Sequence, residues 1–186
     1  MSEQRASTDP TTKNEVLAQG RFLRLMKQGR WEFADRVNAK GAAIIAAVTP
    51  EGCVLLIEQY RAALGRTVIE MPAGLVGDEE DEHEHFAVAA RRELLEETGY
   101  EADEMIEVAH GPPTAGLATE LVTLFVARGL QRVHAGGGNE HEDIAVLEIP
   151  LAEVDAWLHE RAAEGRLIDP KVYAGLYFLL RTQSAT

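Results

Sequence analysis

Continuous apolar runs occur at several places in this 186-residue chain, and they predict buried strands. GAAIIAAV at residues 41–48 is uninterrupted, which is typical of a strand that is buried. A turn at 49–52 then leads into CVLLIEQYR at 53–61, which predicts an adjacent strand. Three further apolar stretches also predict strands, at residues 67–71, 121–130 and 144–150.

Three helices are predicted from composition and from the residues that begin helices. FAVAARRELLEET at residues 86–98 is dense in Ala, Leu, Glu and Arg, which favour helices. A helical stripe of apolar residues predicts a second helix over 151–165. Asp169 and Pro170 are typical of a helix start and predict the last helix over 170–182. The order of elements predicts an α/β fold in which a mixed β-sheet is sandwiched between α-helices.

The first 39 residues differ from the rest of the chain. Residues 1–13 are rich in Ser, Thr and charged residues, which predicts a flexible tail. Residues 14–39 alternate over short stretches and predict a small antiparallel β-region, with Lys27, Gln28 and Gly29 at its turn. Its apolar positions are Phe22, Leu23, Leu25, Trp31 and Phe33. Residues 40–186 are then expected to form the main domain.

Composition and charge exclude several classes of protein. No apolar run approaches the roughly 20 residues of a membrane span, and the polar N-terminus has no secretory signal pattern. We therefore expect a cytoplasmic protein without a membrane partner. The net charge of −13 disfavours binding to nucleic acid, and a phosphate-containing substrate would be repelled unless a cation or an arginine intervened.

Three carboxylates crowd the predicted helix over 86–98. Glu93 and Glu97 are four residues apart, where like charges destabilise a helix, and Glu96 lies on the same face. One interpretation is a solvated acidic face. The other is a Mg²⁺ site, because hard divalent cations prefer carboxylate oxygens. The preceding EMPAG stretch could add the carbonyl of Ala73, with Gly74 allowing close backbone approach.

RELLEETGY at 92–100 resembles the signature of the Nudix hydrolases, and Gly74 matches the glycine that opens it. Four extra residues lie between Gly74 and Arg92, so either Glu80 or Glu84 can fill the first acidic position of the signature. The resemblance implies a Nudix fold and a Mg²⁺ cofactor, for which Mn²⁺ is a possible substitute. It implies metal ligands at Ala73 (carbonyl), Glu93, Glu97 and, directly or through water, Glu96. It implies structural roles for Gly74, Glu84, Arg92 and Gly99.

Other stretches resemble the ADP-ribose and nucleoside-diphosphate-sugar pyrophosphatase branch of that family. EQYR ends in Arg61, which the resemblance implies contacts the diphosphate, and Glu70 of EMPAG is implied to support substrate or loop geometry. TAGLATE at 114–120 offers Gly116 and Glu120 for the terminal sugar. Trp31, with Phe33 as a weaker candidate, matches a region that stacks on the nucleobase from a partner subunit, which implies a homodimer.

HAGGGNEHED at 134–143 is predicted to be a flexible loop, and it resembles the loop that carries the catalytic base in this branch. Its mobile glycines would close the loop over substrate. Glu140 is implied to be the general base with Glu142 as a metal-linked helper, or the reverse, and Glu96 belongs to the catalytic set through its metal. His83 and His85, in DEHEHF, are interpreted as residues of a solvated loop.

The resulting functional hypothesis is a hydrolase. It predicts Mg²⁺-dependent hydrolysis of a nucleoside diphosphate sugar, with ADP-ribose as the leading substrate and AMP and ribose 5-phosphate as products. GDP-mannose, or a broad range of nucleotide sugars, is the alternative substrate class, since GGGNEHEDIAVLEIP also resembles GDP-mannose pyrophosphatases. A non-catalytic Nudix-fold nucleotide sensor and a Ca²⁺-buffering acidic protein are alternatives of other classes.

Overall fold

The computed structural model describes residues 13–77, 84–138 and 143–183. Its helices are α1 (Phe86–Thr98), α2 (Val154–Ala163) and α3 (Pro170–Gln183). Its strands are β1 (Glu15–Gln19), β2 (Leu23–Gln28), β3 (Trp31–Arg36), β4 (Gly41–Ala47), β5 (Cys53–Arg61), β6 (Arg66–Glu70), β7 (Ala73–Val76), β8 (Tyr100–Gly111), β9 (Val122–Arg132), β10 (Ile144–Pro150) and β11 (Leu167–Ile168).

Two four-stranded mixed sheets form the body of the protein. One has the strand order β7-β4-β9-β8 and the other has the order β10-β5-β6-β11. Each contains a single parallel pair, β4 with β9 and β6 with β11, and the remaining neighbours are antiparallel. The predicted α/β fold, with a mixed sheet and helices, is confirmed. The structure has two mixed sheets, whereas the sequence predicted one.

Strand β4 explains why its sequence is a continuous apolar run. Ile44 and Ala46 face a core that includes Leu158 of α2 and Leu176 of α3. The alternate residues of the same strand face a second core, which includes Leu94 of α1. Both faces of this strand are therefore buried, and a polar residue on either face would lose its contact with water.

Helix α1 begins and ends where the sequence predicts. Ala89, Ala90 and Leu94 form its buried face. Gly99 has a φ of 77° and donates its N–H to the carbonyl of Leu95, which is the left-handed conformation that favours glycine after a helix. Helix α3 also begins as predicted, because Asp169 accepts a hydrogen bond from the N–H of Lys171 at 2.8 Å.

Several elements differ from the prediction. Strands β7, β8 and β11 were not predicted, and α2 begins at Val154 because residues 151–153 form a turn. β8 has no clear apolar alternation because it lies at the edge of its sheet, where many of its side chains are exposed. No helix in the described ranges is long and apolar enough to cross a membrane.

The predicted antiparallel β-region is a separate three-stranded sheet in the order β1-β2-β3. Its chain reversal between β2 and β3 lies at Gly29 and Arg30, slightly later than predicted. The sheet is joined to the body through Ala34, whose N–H donates to the carbonyl of Leu117 and whose carbonyl accepts from Thr119. The predicted domain boundaries at residues 13 and 39 stay a prediction.

Replacing Leu94 on the buried face of α1 tests how strongly this helix is held to the sheet. Leu94 has no exposed surface, so we expect Leu94→Ala to lower the free energy of unfolding by about 2–5 kcal/mol through cavity formation. Val88 on the same helix is 55% exposed, and Val88→Ala should change the free energy by less than about 0.5 kcal/mol. Urea unfolding of both variants measures the difference, and equal effects would contradict the assignment of the buried face.

Candidate active site

The acidic end of α1 lies against the start of β7. β7 is held there by antiparallel pairing with β4, in which Ala73 is opposite Ile44. The Glu97 side chain is 2% exposed, and its Oε2 accepts a hydrogen bond from the N–H of Ala73 at 2.9 Å. The structure therefore brings together Glu97 and Ala73, two residues predicted to hold a cation.

Gly74 makes a second close contact between β7 and the helix. A Cβ atom at this position would lie 2.0 Å from Oε1 of Glu93 and 1.8 Å from its Cδ. A larger residue at position 74 would therefore displace the Glu93 side chain from this position. The Glu93 carboxylate thus occupies the space beside Gly74, next to the residue whose amide holds Glu97.

Arg92 lies between the carboxylates of the acidic set. Its Nη1 is 2.8 Å from Oε1 of Glu93 and 3.5 Å from Oε2 of Glu96, and its Nε is 3.3 Å from Oε1 of Glu84. The opposite charge offsets part of the repulsion between glutamates one helical turn apart. Arg92 thus contacts Glu84, one of the two candidates for the first acidic position of the signature, while the other candidate, Glu80, lies outside the described residues.

The donor set at this helix fits a hard divalent cation that also binds a substrate. In the part of the chain that the structure describes, no three His, Cys, Asp or Glu side chains form a ready-made metal cluster. Mg²⁺ in phosphate-transfer sites characteristically uses one or two carboxylates and completes its shell with water and substrate phosphates. Glu93 and Glu97, on one face of α1, fit that arrangement.

A cleft of about 600 Å³ opens beside the acidic helix. Among its lining residues are Glu93 and Glu96 from α1, Ala73 and Gly74 from β7, and Arg61, Glu70 and Glu120. Counting Arg92, eight of the predicted site residues, from four separate stretches of sequence, therefore line one cavity. This volume lies within the range of small-molecule binding sites.

Arg61 and Glu70 form a two-point ion pair at the wall of the cleft. Nε and Nη2 of Arg61 donate to Oε1 and Oε2 of Glu70 at 2.6 and 2.5 Å. Hydrogen bonding to this carboxylate raises the pKa of Arg61 above its ordinary value, so the guanidinium stays charged. Glu70 is buried and fixes the plane of a guanidinium that is partly open to the cleft.

Two cations of the cleft were not identified from the sequence. Arg36, in β3, forms an ion pair with Glu120, and Lys171, at the start of α3, forms one with Asp169. Both lie among the lining residues of the cleft. The N–H of Asp169 donates to the carbonyl of Ile69, which holds the start of α3 beside Glu70. The Asp-Pro pair predicts the helix start that carries Lys171. It does not reveal that this helix start lies beside β6.

The remaining substrate candidates lie outside the cleft. Trp31 is 57% exposed, and the guanidinium of Arg30 lies 5.0 Å from its ring. Phe33 is partly buried in β3, while Gly116 is exposed in the loop that contacts this sheet. None of the three lines the cleft of this single chain.

The glycine run that was predicted to be mobile is bound to the end of α1 up to residue 138. The N–H groups of Gly137 and Gly138 donate to the carbonyls of Glu97 and Glu96 at 2.8 and 3.1 Å. The glycines of this part of the loop therefore permit close backbone contact with the helix, and the closure of the loop over substrate stays a prediction. Glu140 and Glu142 lie outside the described residues, as does His83, and His85 is exposed immediately before α1.

The chain is similar in sequence and in fold to several known proteins. It is 32% identical over 178 residues to the methanol dehydrogenase activator of Bacillus methanolicus, covering 92% of each chain. It is 39% identical over 130 residues to the GDP-mannose pyrophosphatase of Escherichia coli, covering 66% of this chain and 64% of the relative. A crystal structure of an ADP compounds hydrolase has a TM-score of 0.68 at 20% identity, with 92% and 91% of the two chains covered, and shares the fold.

Residues 38–171 match the NUDIX domain, which is most of the chain and includes α1, β7 and the cleft. The match confirms the resemblance seen in residues 92–100. The chain therefore belongs to the NUDIX family.

Proposed function

We propose that this protein hydrolyses the diphosphate linkage of a nucleoside diphosphate sugar in a reaction that depends on Mg²⁺. The observation that carries the proposal is the contact of Glu93 and Glu97 with Gly74 and Ala73 at the edge of a cleft that also contains Arg61. This arrangement combines carboxylates for a cation with a guanidinium for phosphate oxygens.

ADP-ribose is the leading substrate, and its hydrolysis would give AMP and ribose 5-phosphate. The similarity in fold to an ADP compounds hydrolase agrees with an adenosine diphosphate compound. GDP-mannose is the second candidate, and the 39% identity to a GDP-mannose pyrophosphatase favours it. Both substrates carry the same diphosphate, so the proposed chemistry is common to them.

Each side chain of the site has a distinct part in the proposed reaction. A bound divalent cation would neutralise the diphosphate and lower the pKa of an attacking water. Glu93 and Glu97 would hold that cation, together with the Ala73 carbonyl and, directly or through water, Glu96. Arg61 would donate to the phosphate oxygens through the N–H groups that Glu70 leaves available.

The general base is proposed to be Glu140 or Glu142, with the other acting as its metal-linked helper. A carboxylate in this role takes the proton of the attacking water. The anchored residues Gly137 and Gly138 are only a few positions before these glutamates, and they are bound to the acidic end of α1. The proposed base therefore lies only a few residues after a point of the chain that is hydrogen-bonded to the acidic helix.

The second candidate function belongs to another class and is regulation of a partner protein after nucleotide binding. The similarity over 92% of both chains to a methanol dehydrogenase activator is the observation that favours it. A non-catalytic sensor would bind the nucleotide without turning it over. Complete retention of the Arg92, Glu93, Glu96 and Glu97 set favours hydrolysis.

A substrate panel tests the proposed reaction. The full chain is incubated with Mg²⁺ or Mn²⁺ and ADP-ribose, GDP-mannose, ADP-glucose or a dinucleoside polyphosphate, and kcat/KM is compared by nucleotide-product chromatography. We expect metal-dependent hydrolysis of at least one nucleotide sugar, with ADP-ribose the best, and no turnover in EDTA. Tight nucleotide binding without hydrolysis of any compound would favour the sensor, and hydrolysis that persists in EDTA would exclude the proposed metal dependence.

The Glu97→Gln variant tests the metal-binding carboxylates. Glutamine keeps an oxygen that can accept from the Ala73 N–H but removes the charge, so we expect a folded protein that loses roughly 100-fold or more in kcat/KM. Glu101 is exposed on β8 outside the cleft, and Glu101→Gln is the matched control that should retain activity. Circular dichroism verifies folding, and wild-type turnover in Glu97→Gln would remove Glu97 from the proposed site.

A homodimer is proposed to form through the β1-β2-β3 sheet. This sheet and the connection between β1 and β2 expose six large apolar side chains, which are Val16, Leu17, Phe22, Leu23, Leu25 and Trp31. Exposed apolar surface of this extent is typical of interaction sites. Residues 14–39 also carry five basic and three acidic residues, in a chain that has 18 basic and 31 acidic residues, so the sheet is attracted to the acidic body of a second copy.

The solution mass tests this assembly. Light scattering should give about twice the single-chain mass of 20.4 kDa. Leu23→Glu introduces charge into the exposed face of the sheet and should shift the protein toward the monomer. Leu180→Glu changes an exposed leucine of α3 and should leave the mass unchanged. A single-chain mass for the wild type at micromolar concentration would overturn the proposed dimer.

A further inference from the structure

The end of helix α1 receives hydrogen bonds from a distant segment of the chain. The last carbonyls of a helix have no partner inside the helix. Here the carbonyls of Glu96 and Glu97 accept from the N–H groups of Gly138 and Gly137, at 3.1 and 2.8 Å. The carbonyl of Gly99, which follows the helix, accepts from the N–H of Val133 at 2.8 Å. Segment 133–138 therefore binds the same turn that bears two carboxylates of the site.

Contact between the segment and the helix end is backbone against backbone. A Cβ atom on Gly136 would lie 2.4 Å from the carbonyl carbon of Thr98 and 2.6 Å from the carbonyl oxygen of Glu97. A Cβ atom on Gly99 would lie 2.2 Å from the carbonyl oxygen of His134. Both glycines have positive φ, at 74° and 77°, so any side chain here would be strained and would also push the two backbones apart.

Two side chains hold this segment in its conformation. Nδ1 of His134 accepts a hydrogen bond from the N–H of Gly136 at 3.0 Å. Nε of Arg132 donates to the carbonyl of His134 at 3.3 Å, and Nη1 of Arg132 is 3.1 Å from Oε1 of Glu148 on β10. The segment is thus fixed to both β9 and β10 before it reaches the helix.

We propose that segment 133–138 is a positioning element for the cation-binding turn, with Gly136 as its central positioning residue. The inference rests on the proposed function, since it assumes that Glu96 and Glu97 hold a divalent cation. Gly136 does not line the cleft. It acts through the backbone of Glu97, whose carboxylate is set against the Ala73 N–H at 2.9 Å, so that a shift of this backbone displaces the carboxylate.

A purely structural helix cap makes a different prediction. Loss of such a cap lowers the stability of the folded protein and leaves its affinity for a cation unchanged. A positioning element also changes the affinity, because partners that orient metal ligands typically contribute about 10–100-fold to metal binding. Cation affinity of the folded protein therefore separates the two roles.

Binding of Mn²⁺ alone to the full chain is the direct test. Free Mn²⁺ is followed by electron paramagnetic resonance in wild type, Gly136→Ala and Gly165→Ala. Gly165 also has a positive φ, of 85°, but a Cβ atom there would meet nothing within 4 Å, so its replacement reproduces the strain without the collision. We expect Gly136→Ala to weaken Mn²⁺ binding about 10–100-fold and Gly165→Ala to change it less than about twofold.

The Mn²⁺-dependent rise in melting temperature gives a second readout, because a ligand stabilises a protein according to its affinity for the folded state. Gly136→Ala should show a smaller rise at a fixed Mn²⁺ concentration than wild type and Gly165→Ala. An unchanged affinity, with only a lower melting temperature in EDTA, would overturn the positioning role and leave a structural cap.

A milder pair of variants decides the question if Gly136→Ala does not fold. The His134 side chain is exposed, and His134→Ala removes the nitrogen that accepts from the Gly136 N–H. His134→Asn keeps a side-chain oxygen that can accept this hydrogen bond. We expect several-fold weaker Mn²⁺ binding for His134→Ala and recovery for His134→Asn. Equal affinity in all three proteins would contradict the inference.

Wild-type results separate this inference from the function on which it rests. The wild type can hydrolyse a nucleotide sugar and bind Mn²⁺ while the variants bind Mn²⁺ equally well. That result leaves the proposed function intact and rejects the positioning role. A wild type that neither binds Mn²⁺ nor hydrolyses any member of the substrate panel rejects both.

Discussion

The close contact between β7 and the acidic end of α1 is the constraint on which the site depends. Glu93 fills the space that a side chain at position 74 would need, and Glu97 accepts a hydrogen bond from the N–H of Ala73. These contacts hold two like charges one helical turn apart, an arrangement that is unfavourable without a compensating charge. Arg92 supplies part of that compensation within the chain. The fold thus places two carboxylates side by side at one end of the helix.

The rest of the molecule is arranged around this contact. β7 can lie against α1 because it pairs with β4, and β4 is fixed by apolar cores on both of its faces. β6 and the start of α3 bring Glu70 and Asp169 to the lining of the same cleft. A strongly acidic chain thereby presents several basic side chains to one cavity. Arg36, Arg61 and Lys171 each form an ion pair there with a carboxylate.

Local patterns in the sequence predicted the parts of the fold whose signals are themselves local. Helix α1 and the start of α3 follow from helix-forming residues, a glycine stop and an Asp-Pro start, and β4 follows from its apolar run. β8 could not be predicted from periodicity, because its exposed edge position removes the apolar alternation. Arg36 could not be assigned to the cleft, since its position depends on how a separate sheet contacts the body. The contact of the glycine run with α1 could not be predicted, because sequence does not distinguish glycines needed for motion from glycines needed for close packing.

Strand β8 has a further consequence for the behaviour of the protein in concentrated solution. As the last strand of its sheet it has one neighbour, β9, and an outer row of backbone groups that another chain could pair with. Such edges favour aggregation through added strands. Four acidic residues lie along β8, at Glu101, Asp103, Glu104 and Glu107. A second copy of the strand would bring like charges together, so the residues that obscure β8 in the sequence also protect its edge from self-association.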